Sequence, residues 1–480
     1  MTSSLPPRPF PHGFLWGVAT ASYQIEGAVD LDGRGPSIWD TFSRRPGAVF
    51  NGDTGDVACD HYHRLDEDLD LLAKLGLGSY RFSVAWPRIQ PSGSGQPNQA
   101  GLDFYKRLVA GLRERSIEPM LTLYHWDLPQ ALEDRGGWVE RDTAARFSDY
   151  ADIVARSLGE DVDHWITLNE PWCSAWLGYG SGAHAPGVRD IGRAAAATHH
   201  LLLGHALAVS SLRAALPDAR LGVTLNLAPH RSGSPHELDV AAARRAEGNL
   251  NRLFLDPIFR GSYPADMLEH YAATTPGFSV VRDGDLELIS QPLDFLGVNY
   301  YQPRTVVDET RVAEAREAGY FVSHAERDPL DVDLRIESVE TPGRAKTDMG
   351  WEIDASGMTE VLVELQRDYT DLPIYITENG AAFYDYLDPA GRVRDLDRVA
   401  YLRGHVSAVH DSIDAGVDVR GYFLWSLLDN FEWAFGYSRR FGIVWVEFPT
   451  GERVPKESFH WYADTVRANA VDYVAPDATG

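Results

Sequence analysis

The chain has 480 residues, with 44 Lys plus Arg against 70 Asp plus Glu, a formal charge of −26. A field this negative repels a phosphate backbone, and no stretch approaches the roughly 18 unbroken apolar residues of a spanning helix, so neither nucleic acid nor a membrane is an expected partner. Residues 1–10 lack the basic start and apolar run of a signal peptide, which points to a soluble, cytoplasmic protein. Two cysteines, Cys59 and Cys173, make neither a disulfide framework nor a four-cysteine zinc site.

In chain order, short runs rich in β-branched and aromatic residues predict strands over 14–20, 79–86, 119–126, 164–169, 221–227, 294–301, 373–378 and 420–426. Helical spacing predicts helices over 65–75, 101–115, 143–158, 191–215, 240–255, 358–369 and 397–415. Strands alternating with helices require parallel pairing, and eight such units close the (β/α)8 barrel of the α/β class. No linker divides the pattern, so residues 11–470 read as one catalytic barrel domain, with 1–10 as a flexible extension and 471–480 as a tail. Residues 304–347 read as a charged, irregular insertion between the sixth and seventh strands.

Reactive side chains of such a barrel belong at the C-terminal ends of its strands. Those positions hold Gln24, Arg81, His125, Trp126, Asn169, Glu170, Asn299, Tyr300, Tyr301, Glu378, Asn379 and Trp425. The only lysines, Lys74, Lys106, Lys346 and Lys456, are not among them, which disfavours Schiff-base chemistry. Glu170 and Glu378 remain as candidate chemistry. A lone glutamate is usually a solvated loop charge, but these two end the fourth and seventh strands, on roughly opposite sides of an eight-stranded ring. Two facing carboxyl groups without metal ligands suit glycoside hydrolysis.

The motifs are specific. Phe-Leu-Trp-Gly-Val-Ala-Thr-Ala-Ser-Tyr-Gln-Ile-Glu-Gly (14–27), Thr-Leu-Asn-Glu-Pro (167–171) and Ile-Thr-Glu-Asn-Gly (376–380) occur in order. Tyr-Arg-Phe-Ser (80–83), Tyr-His-Trp-Asp-Leu-Pro (124–129), Asn-Tyr-Tyr (299–301) and Trp-Ser-Leu-Leu-Asp-Asn-Phe-Glu-Trp (425–433) accompany them. With these the chain resembles glycoside hydrolase family 1, the β-glucosidase family, from Phe14 to about Tyr462.

The resemblance implies a retaining enzyme without cofactor or metal, with Glu378 as nucleophile and Glu170 as acid/base. Retention requires the two carboxyl groups about 5–5.5 Å apart. Arg81 and Tyr301 match residues that contact the nucleophile and would hold it ionised. Gln24, His125, Trp126, Asn169, Asn299 and Glu432 match the substrate-binding set, with Asn169 at the sugar 2-hydroxyl. Trp425 and Trp433 would flank the ring, Trp351 would line the aglycone side, and Phe441 would help wall the glycone pocket. The expected substrate is a small β-glucoside or cello-oligosaccharide such as cellobiose, cleaved at its terminal non-reducing glucosyl residue. Galactosides, fucosides and transglycosylation are also compatible.

Three relatives within the family are weighed. Thioglucosidases carry Gln at the acid/base position, where this chain has Glu170. Phosphoglycosidases carry a serine, a lysine and a tyrosine after the eighth strand, where this chain has Glu432 and no lysine in the neighbouring sequence. A non-catalytic carbohydrate-binding relative should have lost a glutamate. Cys59, Asp60, His61 and His63 look like a ligand cluster but precede a helix rather than ending a strand, and His199, His200 and His205 read as ordinary helix residues.

Overall fold

The computed structural model describes residues 7–272, 277–322 and 327–472. All eight predicted runs are strands: β1 (Leu15–Ala19), β2 (Ser79–Ser83), β3 (Glu118–Tyr124), β4 (His164–Asn169), β5 (Arg220–Asn226), β6 (Phe295–Asn299), β7 (Ile374–Asn379) and β8 (Val419–Trp425). They close a parallel barrel in the order β7-β8-β1-β2-β3-β4-β5-β6. Each strand is buried nearly throughout because helices cover one face and barrel side chains the other.

The two-residue side-chain period decides what points inward. On β2, Tyr80 and Phe82 join the outer core under the helices, and Arg81 between them turns inward to reach Thr122 of β3. Met120, Ile166, Phe295, Tyr375 and Phe423 form a separate inner cluster. That apolar plug closes off the barrel interior, so polar chemistry is left to the strand ends.

The helices form by ordinary means. Leu65–Leu75 buries Leu65, Leu69, Leu72 and Leu75 on one stripe, carries Asp66, Glu67 and Asp68 in its first turn, and ends on Gly76 at φ 72°. Ile191–Ala215 is capped by Asp190, whose side chain accepts from the Arg193 N–H at 3.0 Å. The helix predicted over 240–255 is instead Glu237–Glu247, a wide π-helical turn Gly248–Arg252, and Leu253–Arg260. The wide turn brings Asn249 to Trp172 and Asn251 to the carbonyl of Ala228. Among the described residues no helix is long and apolar enough to cross a membrane.

Two expectations need correcting. The insertion is not irregular: Arg304–Asp308 pairs antiparallel with Ile336–Val339 and parallel with His230–Ser232, around a small core of Val307, Ala315, Val322 and Val339. Its two strands are short and interrupted by charge because the three-stranded satellite sheet they form with His230–Ser232 lies outside the barrel and is only partly buried. The N-terminal segment is tied down from Arg8 onward, where Arg8–Pro9 pairs with Ala470–Val471, Arg8 bonds Asp411 and Asp414, and Phe10 is buried. Residues 1–6 and 473–480 lie outside the described residues.

A buried charge network fastens the segments that follow β7 and β8. Lys456 donates to Asp385 and, at 2.7 Å, to Asp429; Arg398 donates to Asp395 and, at 2.8 Å, to Asp385; Arg440 donates to Asp429 at 2.7 Å. Lys456 and Arg398 are fully buried, so each needs these partners in place. The sequence places no lysine near Glu432, but folding brings Lys456 to Asp429, three residues before it, and uses its charge there. Lys456→Met should cost about 3–5 kcal/mol of folding stability, seen as a lower denaturant midpoint, because it strands buried carboxylates. An unchanged midpoint would show that the arginines alone neutralise them.

Candidate active site

Arg81 organises the strand ends. Its Nη1 donates to Glu378 Oε1 at 2.5 Å and to the Thr377 carbonyl at 3.1 Å, while Nη2 donates to Asn169 Oδ1 at 2.6 Å. Tyr301 donates to the other oxygen of Glu378, Oε2, at 2.7 Å. Asn299 Nδ2 donates to Asn169 Oδ1 at 3.1 Å and to Glu170 Oε1 at 2.7 Å, and its own carbonyl accepts from Thr377 at 2.8 Å. Glu170 and Glu378 are therefore linked through the chain Asn299, Asn169 and Arg81, with every member buried.

The backbone is bent to make this possible. Glu170 has φ 47° and Trp126 has φ 76°, left-handed conformations that non-glycine residues rarely hold. The Glu170 N–H is satisfied by the Thr224 carbonyl at 2.9 Å, and Trp126 Nε1 donates to the Asn169 carbonyl at 3.0 Å. After Glu378, Gly380 passes so close to the end of β8 that a Cβ there would lie 1.7 Å from the Trp425 carbonyl oxygen. Glycine is required at that crossing.

Burial pushes Glu170 up to about 7, and the charge of Glu378 adds to the rise. Burial raises Glu378 as well, against the pull of the Arg81 charge and the hydrogen bonds from Arg81 and Tyr301. Arg81 bonds Glu378 directly and does not bond Glu170, so the negative charge settles on Glu378 and the proton on Glu170. Glu432 is pushed up to about 8 by burial and by both other glutamates. Burial and the nearby Arg81 hold His125 well below the usual imidazole range, so it is neutral.

The predicted binding residues converge on the same place. Gln24, on the turn Ser22–Ile25 after β1, donates to Asn430 Oδ1 and the Phe431 carbonyl, each at 2.9 Å, and reaches Glu432 at 3.5 Å. Its buried Oε1 has no protein partner. Asn169 Oδ1 is fixed as an acceptor by Arg81 and Asn299, so its Nδ2 is the donor to His125 Nε2 at 3.1 Å, and the His125 proton sits on Nδ1, again without a protein partner.

The His125 ring lies parallel to Trp425 and Trp433, with ring centres 5.7 and 6.0 Å away. Trp433 also packs on Trp39 and Trp126, so it serves the core as well as the pocket wall. Trp351, Phe441 and Tyr301 meet one another at 5.3 to 6.2 Å and border the nucleophile side. Tyr300, also at a strand end, faces away and donates to the Asp354 carbonyl at 2.7 Å.

The other candidate clusters are engaged elsewhere. His61 bonds Asp68 at 2.7 Å, Asp68 bonds Arg453 at 2.9 Å, and Cys59 lies 3.1 Å from the Asp429 carbonyl. His199 bonds Asp285 and Tyr263, His200 bonds the Trp138 carbonyl, and His205 bonds Thr167. Sequence reasoning missed Thr377, Asn430 and Cys173. Cys173 lies 3.2 Å from Glu170 Oε2, and its position three residues after Glu170, where a helix begins, is the signal that could have found it.

The Glycosyl hydrolase family 1 model matches residues 7–471. Beta-glucosidase A of Thermotoga maritima is 46% identical over 466 residues, covering 97% of this chain and 99% of that protein. The bifunctional beta-D-glucosidase/beta-D-fucosidase of Bifidobacterium breve is 48% identical over 465 residues, covering 94% of this chain and 97% of that protein. The solved family 1 β-glucosidase from Thermotoga maritima superposes with a TM-score of 0.89 at 45% identity, covering 98% of this chain and 100% of that chain. A closed eight-stranded barrel, two buried glutamates at the ends of β4 and β7 and a match along almost the whole length lead to one conclusion: the chain belongs to glycosyl hydrolase family 1.

Proposed function

We propose that this protein is a retaining β-glucosidase that releases terminal non-reducing β-D-glucosyl residues from small β-glucosides and short cello-oligosaccharides, cellobiose among them. The observation that carries the mechanism is the asymmetry between two buried carboxyl groups: Arg81 and Tyr301 both bond Glu378, while Glu170 is pushed up to about 7. In the first step a Glu378 oxygen bonds the anomeric carbon as the glycosidic C–O bond breaks, and Glu170 gives its proton to the leaving oxygen. Esterification removes the Glu378 charge, so Glu170 ionises more easily and then takes a proton from water. The water oxygen bonds the anomeric carbon, the bond to Glu378 breaks, and β-glucose leaves.

Gln24 Oε1, the second N–H of Asn169 and Glu432 supply partners for the glucose hydroxyls, with Asn169 at the 2-hydroxyl. A missing 6-hydroxyl or an inverted 4-hydroxyl changes few of these contacts, which favours activity on fucosides and galactosides as well. A phosphorylated glycone is disfavoured, because Glu432 would repel it and Lys456, the lysine that folding brings into this neighbourhood, is held by Asp385 and Asp429.

Proton NMR of 4-nitrophenyl β-D-glucoside hydrolysis should reveal β-glucose before mutarotation; α-glucose first would overturn the retaining assignment. The kcat/KM profile should fall as pH rises through about 7, because the acid form of Glu170 is lost there, and Glu170→Gln should remove that alkaline limb. Tyr301→Phe loses one hydrogen bond to a charged carboxylate, worth about 1.5–3 kcal/mol, so kcat should drop roughly 10- to 100-fold in steady-state assays. An unchanged kcat would remove Tyr301 from the machinery.

A further inference from the structure

The two oxygens of Glu170 meet different partners. Oε1 accepts from the Asn299 amide at 2.7 Å, and an amide N–H donates only. Oε2 faces the buried thiol of Cys173 at 3.2 Å, and Asn226 Nδ2, at the end of β5, approaches the same sulfur at 3.8 Å. Asn226 directs a donor at the sulfur lone pairs, which leaves the S–H proton to point at Oε2. Cys173 opens the π-helical turn Cys173–Ser181, and its place in that turn keeps the thiol against Glu170. Sequence reading set Cys173 aside as a residue without a disulfide partner.

We propose that Cys173 is a positioning residue for the acid/base: its S–H donates to Oε2 when Glu170 is ionised and yields to the carboxylic proton on Oε2 when Glu170 is protonated. This rests on the assignment of Glu170 as acid/base. A thiol suits the task because it is a weak donor and a weak acceptor, and so tolerates both states of its neighbour. A stronger donor would hold Glu170 ionised and weaken it as an acid in the first step. An apolar side chain would leave the carboxylate of the second step without a partner on that oxygen. Burial and the charge of Glu170 push the thiol well above its ordinary value, so Cys173 keeps its proton throughout.

The other groups facing Glu170 are Glu378 from β7, Arg81 from β2, Asn299 and Tyr301 from the end of β6, and Glu432 after β8. None of them bonds the Cys173 sulfur, and Asn226, which does, carries no titrating group, so substitution at this position leaves the charged neighbours of Glu170 in place. Cys173→Val removes the donor at similar volume, and Cys173→Ser installs a stronger one. The test is the pH dependence of kcat/KM on 4-nitrophenyl β-D-glucoside for the parent and both variants. The alkaline limb should move up in the valine variant and down in the serine variant, by about half a pH unit each. Limbs that stay in place, or move in the same direction in both, would overturn the proposal and leave Cys173 as packing. If the valine variant does not fold, Cys173→Ala supplies the non-donor arm. An alkaline limb that keeps its parent position in Glu170→Gln would overturn the assignment of Glu170 itself, a result separable from any outcome at Cys173.

Discussion

A guanidinium taken out of water must find acceptors for its donors, and Arg81 finds them on three other strands: Thr122 on β3, Asn169 on β4, and Glu378 with the Thr377 carbonyl on β7. The rest of the site depends on that arrangement. Because the fork is planar and rigid, holding Asn169 with one arm and Glu378 with the other fixes the end of β4 against the end of β7. Asn299 then ties Glu170 to the same Asn169 oxygen, so the spacing of two carboxyl groups from opposite sides of the barrel is set by one cation and two amides.

Holding this geometry demands unusual backbone. Trp126, Glu170 and Trp433 all have positive φ, at 76°, 47° and 50°, and a non-glycine residue held there costs about 1–3 kcal/mol. Each sits beyond the end of a strand and is held from outside: Trp126 by its bond to the Asn169 carbonyl, Glu170 by the Thr224 carbonyl, Trp433 by packing on Trp39 and Trp126. Trp126 and Trp433 therefore pack on each other while each holds strained backbone beside the strand ends.

This division explains what the sequence made legible. Strands buried on both faces give continuous apolar runs, and the eight runs are the eight barrel strands, so residues at their ends could be named before any coordinates. Glu170, Glu378, Arg81 and Tyr301 were found that way. What stayed hidden depends on contacts between distant segments. Cys173 looks like a core cysteine until Glu170 and Asn226 are placed around it, and Lys456 lies far along the chain from Asp385. The satellite sheet was missed because His230–Ser232, its third strand, is three residues long and mostly polar. The wide turn Gly248–Arg252 has no periodic signature, since it interrupts a helix without a proline or a cap.

Glu170, Glu378 and Glu432 lie close enough to raise one another's proton affinity. Glu170 is pushed to about 7 and Glu432 to about 8, both by burial and by the charge that Glu378 already carries. In the proposed double displacement, esterifying Glu378 removes the charge that raises both neighbours, so the ionisation that the second step needs at Glu170 follows from the chemistry of the first.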